Sequence, residues 1–106
     1  MKKLSEMIRL ATRFHHAFTP DGSGSPYMCI ALVHARNIGA ITTKECRVAQ
    51  NHCEYFMRHH LGYEAGTVRG YVWKTCGLDY LDSKGTNKKV REIWKIEIDR
   101  LEAQGN

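Results

Sequence analysis

The order of apolar and polar positions along the chain predicts a series of helices. In the first of them, apolar residues recur three or four positions apart, a spacing that places them along one face of an α-helix. We therefore predict an amphipathic helix over residues 3–18. Its apolar stripe consists of Leu4, Met7, Ile8, Ala11, Phe14 and Phe18. Residues 19–24 include one proline and two glycines, and we expect them to form a mobile break.

A second helix is predicted after Ser25-Pro26. A serine side chain can accept a hydrogen bond from a free backbone amide, and proline fits the first helical position. The segment that follows is apolar on almost every side until His34. Because such a helix is usually buried, we expect it to be central, with the first, third and last helices packed around it.

The third helix has the clearest start. Thr42 and Glu45 have the spacing of a capping box, in which a hydroxyl and a carboxylate each bind a backbone amide. The helix is expected to begin near Thr43 and to stop at Gly62. Its apolar stripe includes Cys46 and Cys53, which are therefore expected in the core.

The last third of the chain predicts a short helix, a loop and a long helix. Residues 67–76 favour a short helix ended by Gly77, although "YVW" also fits a strand-like turn. Residues 78–85 are expected to form a loop, after which Thr86 or Asn87 caps the final helix. That helix turns Val90, Ile93, Trp94, Ile98 and Leu101 inward. The whole pattern predicts an all-α fold, a single domain over residues 1–106 built as a compact bundle of four to five helices.

Composition and charge narrow the function classes. The chain has 106 residues, 42% hydrophobic and 25% charged, which is ordinary globular composition. Its formal net charge of +5 favours an acidic partner, either protein or nucleic acid. We see no signal peptide and no apolar run that could cross a membrane, so we expect a soluble protein of the cytoplasm. A homodimer would add stability to a core of this modest size.

The cysteines and histidines form a pool of metal-ligating residue types. Closed zinc sites use close pairs such as C-x-x-C, whereas Cys46 and Cys53 would lie about 10 Å apart along a helix. We therefore interpret Cys29, Cys46, Cys53 and Cys76 as buried thiols, and expect no metal ion and no cofactor. The chain also lacks a nucleophile elbow, a phosphate loop and an H-E-x-x-H motif, so we expect no catalytic residues and no enzyme.

Nucleic-acid binding is the alternative function. The second helix, the turn after it and the third helix follow the order of a helix-turn-helix motif. Lys44, Arg47 and Arg58 on the outward face of the third helix would then contact DNA or RNA. Two features weigh against this interpretation: Glu45 stands where the motif buries an aliphatic residue, and Glu54 interrupts the basic face.

Aromatic and basic residues near the short helix predict a protein-binding surface. Tyrosine and tryptophan side chains left at a protein surface commonly anchor interfaces. Trp73 lies beside the apolar stripe of the short helix, so we expect it to be partly exposed. The predicted partner-binding residues are Arg69, Tyr71, Trp73, Lys74 and Tyr80.

From "SPYMCIALVHARNIGAITTKECRVAQNHCEYFMRHHLG" through "VREIWKIEIDRLEAQG", the chain resembles small proteins encoded by tailed bacteriophages. The likeness covers residues 25–103. It consists of a Cys-containing apolar helix, a glycine turn with "IT", an amphipathic helix, an aromatic segment near "YVW" and a closing helix with Arg and Trp. The resemblance carries no activity and no site residues. It implies an accessory protein that binds and modulates or inhibits a macromolecular complex in the host cytoplasm, such as defence or transcription machinery.

Overall fold

Five α-helices and two short 3-10 turns make up the fold in the computed structural model, which describes residues 1–78 and 82–106. The helices are α1 (Leu4–Phe14), α2 (Met28–Asn37), α3 (Thr43–His60), α4 (Val68–Cys76) and α5 (Ser83–Ala103). The 3-10 turns span His16–Phe18 and Tyr63–Ala65. Within the described residues there is no strand, and the predicted all-α bundle of four to five helices is confirmed.

The helix that contacts most of the others is α1, not α2. It packs against α2, α3 and α5, whereas α2 packs against α1 and α3. Ala31, Leu32 and Ala35 of α2 are buried, but Ile30 and Ile38 are exposed. The prediction of a central second helix was therefore wrong. Apolar character on all sides of a helix does not guarantee burial on all sides, since folded proteins leave much apolar surface in contact with water.

The first helix ends four residues earlier than predicted. His15 adopts an extended backbone conformation (φ −93°, ψ 123°), and its Nδ1 accepts a hydrogen bond from the backbone N–H of Ala17 at 3.2 Å. This local hydrogen bond starts the 3-10 turn over His16–Phe18. The turn places Phe18 in the core, while Phe14 at the end of α1 stays exposed.

Hydrogen bonds from side chains of α5 connect this helix to the loop of residues 19–24. Asn87 donates hydrogen bonds from Nδ2 to the backbone carbonyls of Gly22 and Gly24, both at 3.3 Å. Arg91 donates to two further carbonyls of the loop, at 2.8 and 3.2 Å. These contacts do not agree with the mobile break that the sequence predicts, because they involve partners more than 60 residues away along the chain.

The start of α2 also differs from the prediction. The helix begins at Met28 and not directly after Ser25, because the chain stays extended through Tyr27 (φ −80°, ψ 118°). Among the described residues, no side chain accepts a hydrogen bond from its first turn. The first backbone N–H groups of α2 are therefore left without the partner that a capping side chain would supply.

In contrast, α5 begins earlier than predicted and has a cap. The Oδ1 of Asp82 accepts a hydrogen bond from the backbone N–H of Gly85 at 3.2 Å. Thr86 and Asn87, the residues predicted as caps, lie inside the helix and are buried. Their polar side chains belong to the interior of the bundle, where Asn87 holds the 19–24 loop.

The capping box of α3 is confirmed. The Oγ1 of Thr42 accepts a hydrogen bond from the N–H of Glu45 at 3.1 Å, and the Oε1 of Glu45 accepts one from the N–H of Thr42 at 2.9 Å. The second carboxylate oxygen of Glu45 accepts a hydrogen bond from the N–H of Lys2 at 2.7 Å. The backbone hydrogen bonds from Thr42 and Lys2 lower the pKa of Glu45 below its ordinary value, so this carboxyl is charged at neutral pH.

The burial of the cysteines follows the prediction in part. Cys46 and Cys53 are buried as predicted, and burial raises the pKa of the Cys53 thiol well above its ordinary value. Cys29 is half-buried. Cys76 is exposed, so its interpretation as a buried thiol was wrong. It is the last residue of α4, one turn beyond the buried Val72, and lies outside the part of the helix that packs on the core.

A buried ionic cluster joins α3 and α5. The Glu97 side chain is 0% exposed, and its Oε2 lies 3.1 Å from Nε2 of His52. Arg100 donates to both carboxylate oxygens of Glu97, from Nε and from Nη2, the latter at 3.0 Å. Close by in the core, Trp94 packs against Phe56 with 5.1 Å between ring centroids. The interface of these two helices is therefore partly ionic and partly aromatic.

Candidate functional site

Trp73 forms the largest apolar feature on the outer side of α4. It is 60% exposed, while Val68 and Val72 of the same helix are buried. Hydrogen bonding fixes the ends of α4: Thr67 Oγ1 accepts from the N–H of Gly70 at 2.9 Å, and Gly77 closes the helix in the left-handed conformation. The short helix and the partial exposure of Trp73 are confirmed, and its role in binding stays a prediction.

The two predicted cations near Trp73 have different surroundings. Lys74 is exposed and pairs with Glu64 at 2.9 Å, on the side of α4 that faces the second 3-10 turn. Arg69 is half-buried, and its Nη1 donates to the carbonyl of Gly24 and to Oδ1 of Asn87, both at 3.1 Å. Arg69 therefore joins α4 to the 19–24 loop and α5, whereas Lys74 forms a solvent-exposed ion pair with Glu64.

Of the two predicted tyrosines, Tyr71 does not share a surface with Trp73. Tyr71 is half-buried and packs against the core. It precedes Trp73 by two positions, which corresponds to a rotation of about 200° around a helix, so the two side chains leave α4 on opposite sides. Tyr80 lies outside the described residues. The surface defined by Trp73 and Lys74 on α4 is hereafter called the Trp73 surface.

A groove with a volume of about 560 Å³ is lined by neither Trp73 nor Lys74. Its walls come from residues 26–30 at the start of α2, residues 54–58 of α3, residues 63–68 and Trp94 of α5. Its apolar lining is partly at the surface, at Ile30, and partly in the core. The apolar residues that line it are Pro26, Met28, Ile30, Met57, Val68 and Trp94.

Polar groups in this groove are few. The guanidinium carbon of Arg58 lies 5.6 Å from the centroid of the Tyr63 ring, in a cation–π contact at the groove's edge. Glu54 lines the same wall one turn earlier in α3. The thiol of Cys29 is half-buried there, and burial, followed by the nearby charge of Glu54, raises its pKa. Trp94 Nε1 is buried and has no hydrogen-bond acceptor among the described residues.

The basic residues of α3 share one exposed face. Lys44, Arg47 and Arg58 are all exposed and fall on the outward side of the helix, spread over about 21 Å of its length. Within the described residues, Lys44 and Arg47 form no ion pair. Arg58 differs, because it stacks on Tyr63 and lines the groove.

Histidines meet near the end of α1. The ring of His15 lies 5.1 Å from that of His16 and 6.4 Å from that of His34, measured between centroids. Burial, with smaller contributions from His16 and His34, lowers the pKa of His15.

Across residues 1–78 and 82–106, no group of three or more His, Cys, Asp or Glu side chains is arranged to hold a metal ion. None of the helices in these ranges combines the length and apolar character needed to cross a membrane.

Sequence reasoning missed the groove because its walls come together only through tertiary packing. One sequence signal was available. The residue before α2 is Tyr27 and not a serine, threonine, aspartate or asparagine. With the helix start placed at Met28, this residue indicates a helix without a side-chain cap.

Comparison of the chain with protein-family models, with curated proteins and with solved structures gave no match.

Proposed function

We propose that this chain is a small non-enzymatic accessory protein that binds a macromolecular complex of a bacterial host and modulates or inhibits it. Host defence and transcription machinery are the proposed targets. The resemblance to small proteins of tailed bacteriophages suggested this context, and the proposed action is in the host cytoplasm. The observation that carries the proposal is the 60% exposure of Trp73.

Trp73 has the properties of an interface anchor. Tryptophan is among the residues most enriched at binding hot spots, where a large side chain fills a pocket on the partner. α4 is held on its inner side by Val68 and Val72 and at its end by Gly77, so Trp73 is presented from a fixed helix. A fixed anchor loses little conformational freedom on binding, which favours affinity.

The net charge of the chain favours an acidic partner. Lys74, next to Trp73, is exposed and paired with the exposed Glu64, and the whole chain carries a formal net charge of +5. Complementary charge at the rim of an interface accelerates association and selects the partner. In this proposal Lys74 contributes charge at the rim, and Arg69 positions α4 through its hydrogen bonds to the loop.

The test is affinity capture from a bacterial lysate, carried out with and without nuclease. We expect a defined set of host proteins that survives nuclease treatment and is lost on replacing both Trp73 and Lys74 by alanine. Substitution of Lys88 and Lys89, exposed lysines on α5, serves as the control and is expected to leave capture unchanged. Capture that disappears with nuclease would contradict a protein partner.

A second candidate function is nucleic-acid binding through α3. It is favoured by Lys44 and Arg47, which are exposed and form no ion pair within the described residues. Each phosphate contact releases condensed counterions, so replacing Lys44, Arg47 or Arg58 should each lower the slope of log affinity against log salt by about one. If labelled duplex DNA is not shifted at low salt by high micromolar protein, this candidate fails.

A further inference from the structure

The residues at the start of α2 line the groove and, within the described residues, carry free backbone hydrogen-bond donors. Met28, Cys29 and Ile30 line the groove, and their N–H groups precede the first intrahelical hydrogen bond, which runs from Ala31 N–H to the Tyr27 carbonyl at 3.0 Å. None of the side chains in the described ranges caps this helix. Free N–H groups and the helix dipole together favour an anion at such a position.

Trp94, from a different helix, lines the same groove and has a donor that is unpaired among the described residues. Trp94 of α5 is 1% exposed, and its indole N–H finds no acceptor in the described part of the chain. Buried N–H groups in folded proteins nearly always have an acceptor, so this group points to one supplied from outside the chain. Met28 and Met57 share the groove with Trp94, and their unbranched, flexible side chains allow a ligand atom to approach the indole.

Arg58 adds a positive charge at the edge of the groove. Its stacking on the Tyr63 ring holds the guanidinium plane, while the donor edges remain able to bind a carboxylate in the two-point manner typical of arginine. Glu54 lines the same wall. Its negative charge disfavours a polyanion such as a nucleic acid, because like charges repel, but tolerates a ligand with a single negative charge.

We propose that the groove binds a small apolar monocarboxylate, either an acyl-chain or an aromatic acid. The carboxylate lies between the start of α2 and Arg58, and one of its oxygens accepts the hydrogen bond of the Trp94 indole. The apolar part of the ligand packs along Met57 and Val68. The groove volume of about 560 Å³ falls in the range of about 300–1,000 Å³ that is typical of small-molecule sites. This site is separate from the Trp73 surface and does not depend on partner binding there.

Nitrogen–proton correlation NMR tests the site directly with decanoate as the probe. The chain has two tryptophans, so its spectrum contains two indole N–H signals, and exposed Trp73 is an internal control for buried Trp94. We expect decanoate to shift the Trp94 signal downfield and saturably, as a new hydrogen bond does, without shifting that of Trp73. Decanol, which has the same chain length and no carboxylate, should bind at least ten times more weakly.

Arginine variants test the orientation of the ligand. Arg58→Gln should weaken decanoate binding about tenfold or more, whereas Arg47→Gln, on the same face of α3 but outside the groove lining, should bind decanoate like the wild type. Equal affinity of the Arg58 variant and the wild type would overturn the proposed orientation. If Arg58→Gln does not give the spectrum of a folded protein, Arg58→Lys replaces it in the titration. This variant keeps the charge without the two-point geometry, and we expect it to bind decanoate with intermediate affinity.

Other outcomes of the titration overturn the proposal. An unshifted Trp94 signal at millimolar decanoate excludes the site. Equal shifts of both indole signals indicate non-specific association of an amphiphile. An acetylated trileucine peptide with a free carboxyl end is the second probe. If this peptide binds more tightly than decanoate, the ligand of the groove is the carboxyl end of a polypeptide, and the proposal of a small acid is overturned.

Discussion

Replacement of Glu97 by alanine tests whether the ionic cluster between α3 and α5 holds the fold together. The Glu97 side chain is 0% exposed and binds His52 and Arg100, the latter through two hydrogen bonds. Removing one member of a buried ion pair costs about 3–5 kcal/mol, because the remaining charge is left uncompensated. Here the His52 side chain is 15% exposed and that of Arg100 is 37% exposed, so both can reach water after the substitution. We therefore expect a loss of about 2–4 kcal/mol in the free energy of unfolding.

The assay is urea unfolding followed by circular dichroism, with two matched controls on the same helix. Asp99 pairs with Lys95, and Glu102 pairs with Arg9, in ion pairs whose partners are all exposed. Such surface pairs contribute about 0–1 kcal/mol each, so Asp99→Ala and Glu102→Ala should unfold nearly like the wild type. If Glu97→Ala loses no more stability than these controls, the cluster does not stabilise the fold in the way that its burial implies.

Three further substitutions test other parts of the fold. Thr42→Ala removes a helix cap and should lower the free energy of unfolding by about 1 kcal/mol in urea; an unchanged midpoint would contradict the capping role. Gly22→Ala should cost at least about 2 kcal/mol, because the added Cβ would lie 2.1 Å from the carbonyl oxygen of His16, and a wild-type melting temperature would rule this clash out. The lowered pKa of His15 means that protonation disfavours the folded state, in which Nδ1 accepts from Ala17 N–H. Stability should therefore be retained above pH 6.5 and fall below it, and His15→Asn should reduce this fall in melts at pH 7.5 and 5.5.

Local sequence patterns predicted those parts of the fold that local interactions decide. The capping box between Thr42 and Glu45 depends on residues three positions apart, and the structure has both of its hydrogen bonds. The short helix α4 follows from the spacing of Val68 and Val72 and from the glycine that closes it. The exposure of Trp73 then follows from its position beside that stripe.

Features that depend on distant partners were predicted poorly. Asn87 looked like a helix cap, yet it is buried and binds carbonyls of the 19–24 loop, more than 60 residues earlier in the chain. Glu97 belongs to a charged stretch near the end of the chain but is buried against His52 and Arg100. Hydrophobic periodicity cannot distinguish a solvated polar residue from a polar residue that finds its partner inside the fold.

The two candidate sites also differ in how far they could be predicted from the sequence. The Trp73 surface was predictable in part, because Trp73 and Lys74 are neighbours on one helix. The groove was not, since its walls come from three segments and from the buried Trp94 of α5. Its recognition requires the tertiary packing that brings these segments together.

The most direct test of protein binding measures partner capture and thermal stability on the same Trp73→Ala protein. Trp73 is 60% exposed, so its loss should change the free energy of unfolding by less than about 1 kcal/mol. Loss of a hot-spot anchor should weaken capture by about 2 kcal/mol or more, roughly a thirtyfold change in affinity. Ile96→Ala, which removes a 68% exposed apolar side chain from α5, is the matched control and should capture normally. A folded Trp73→Ala protein that captures its partner at wild-type strength would contradict the account.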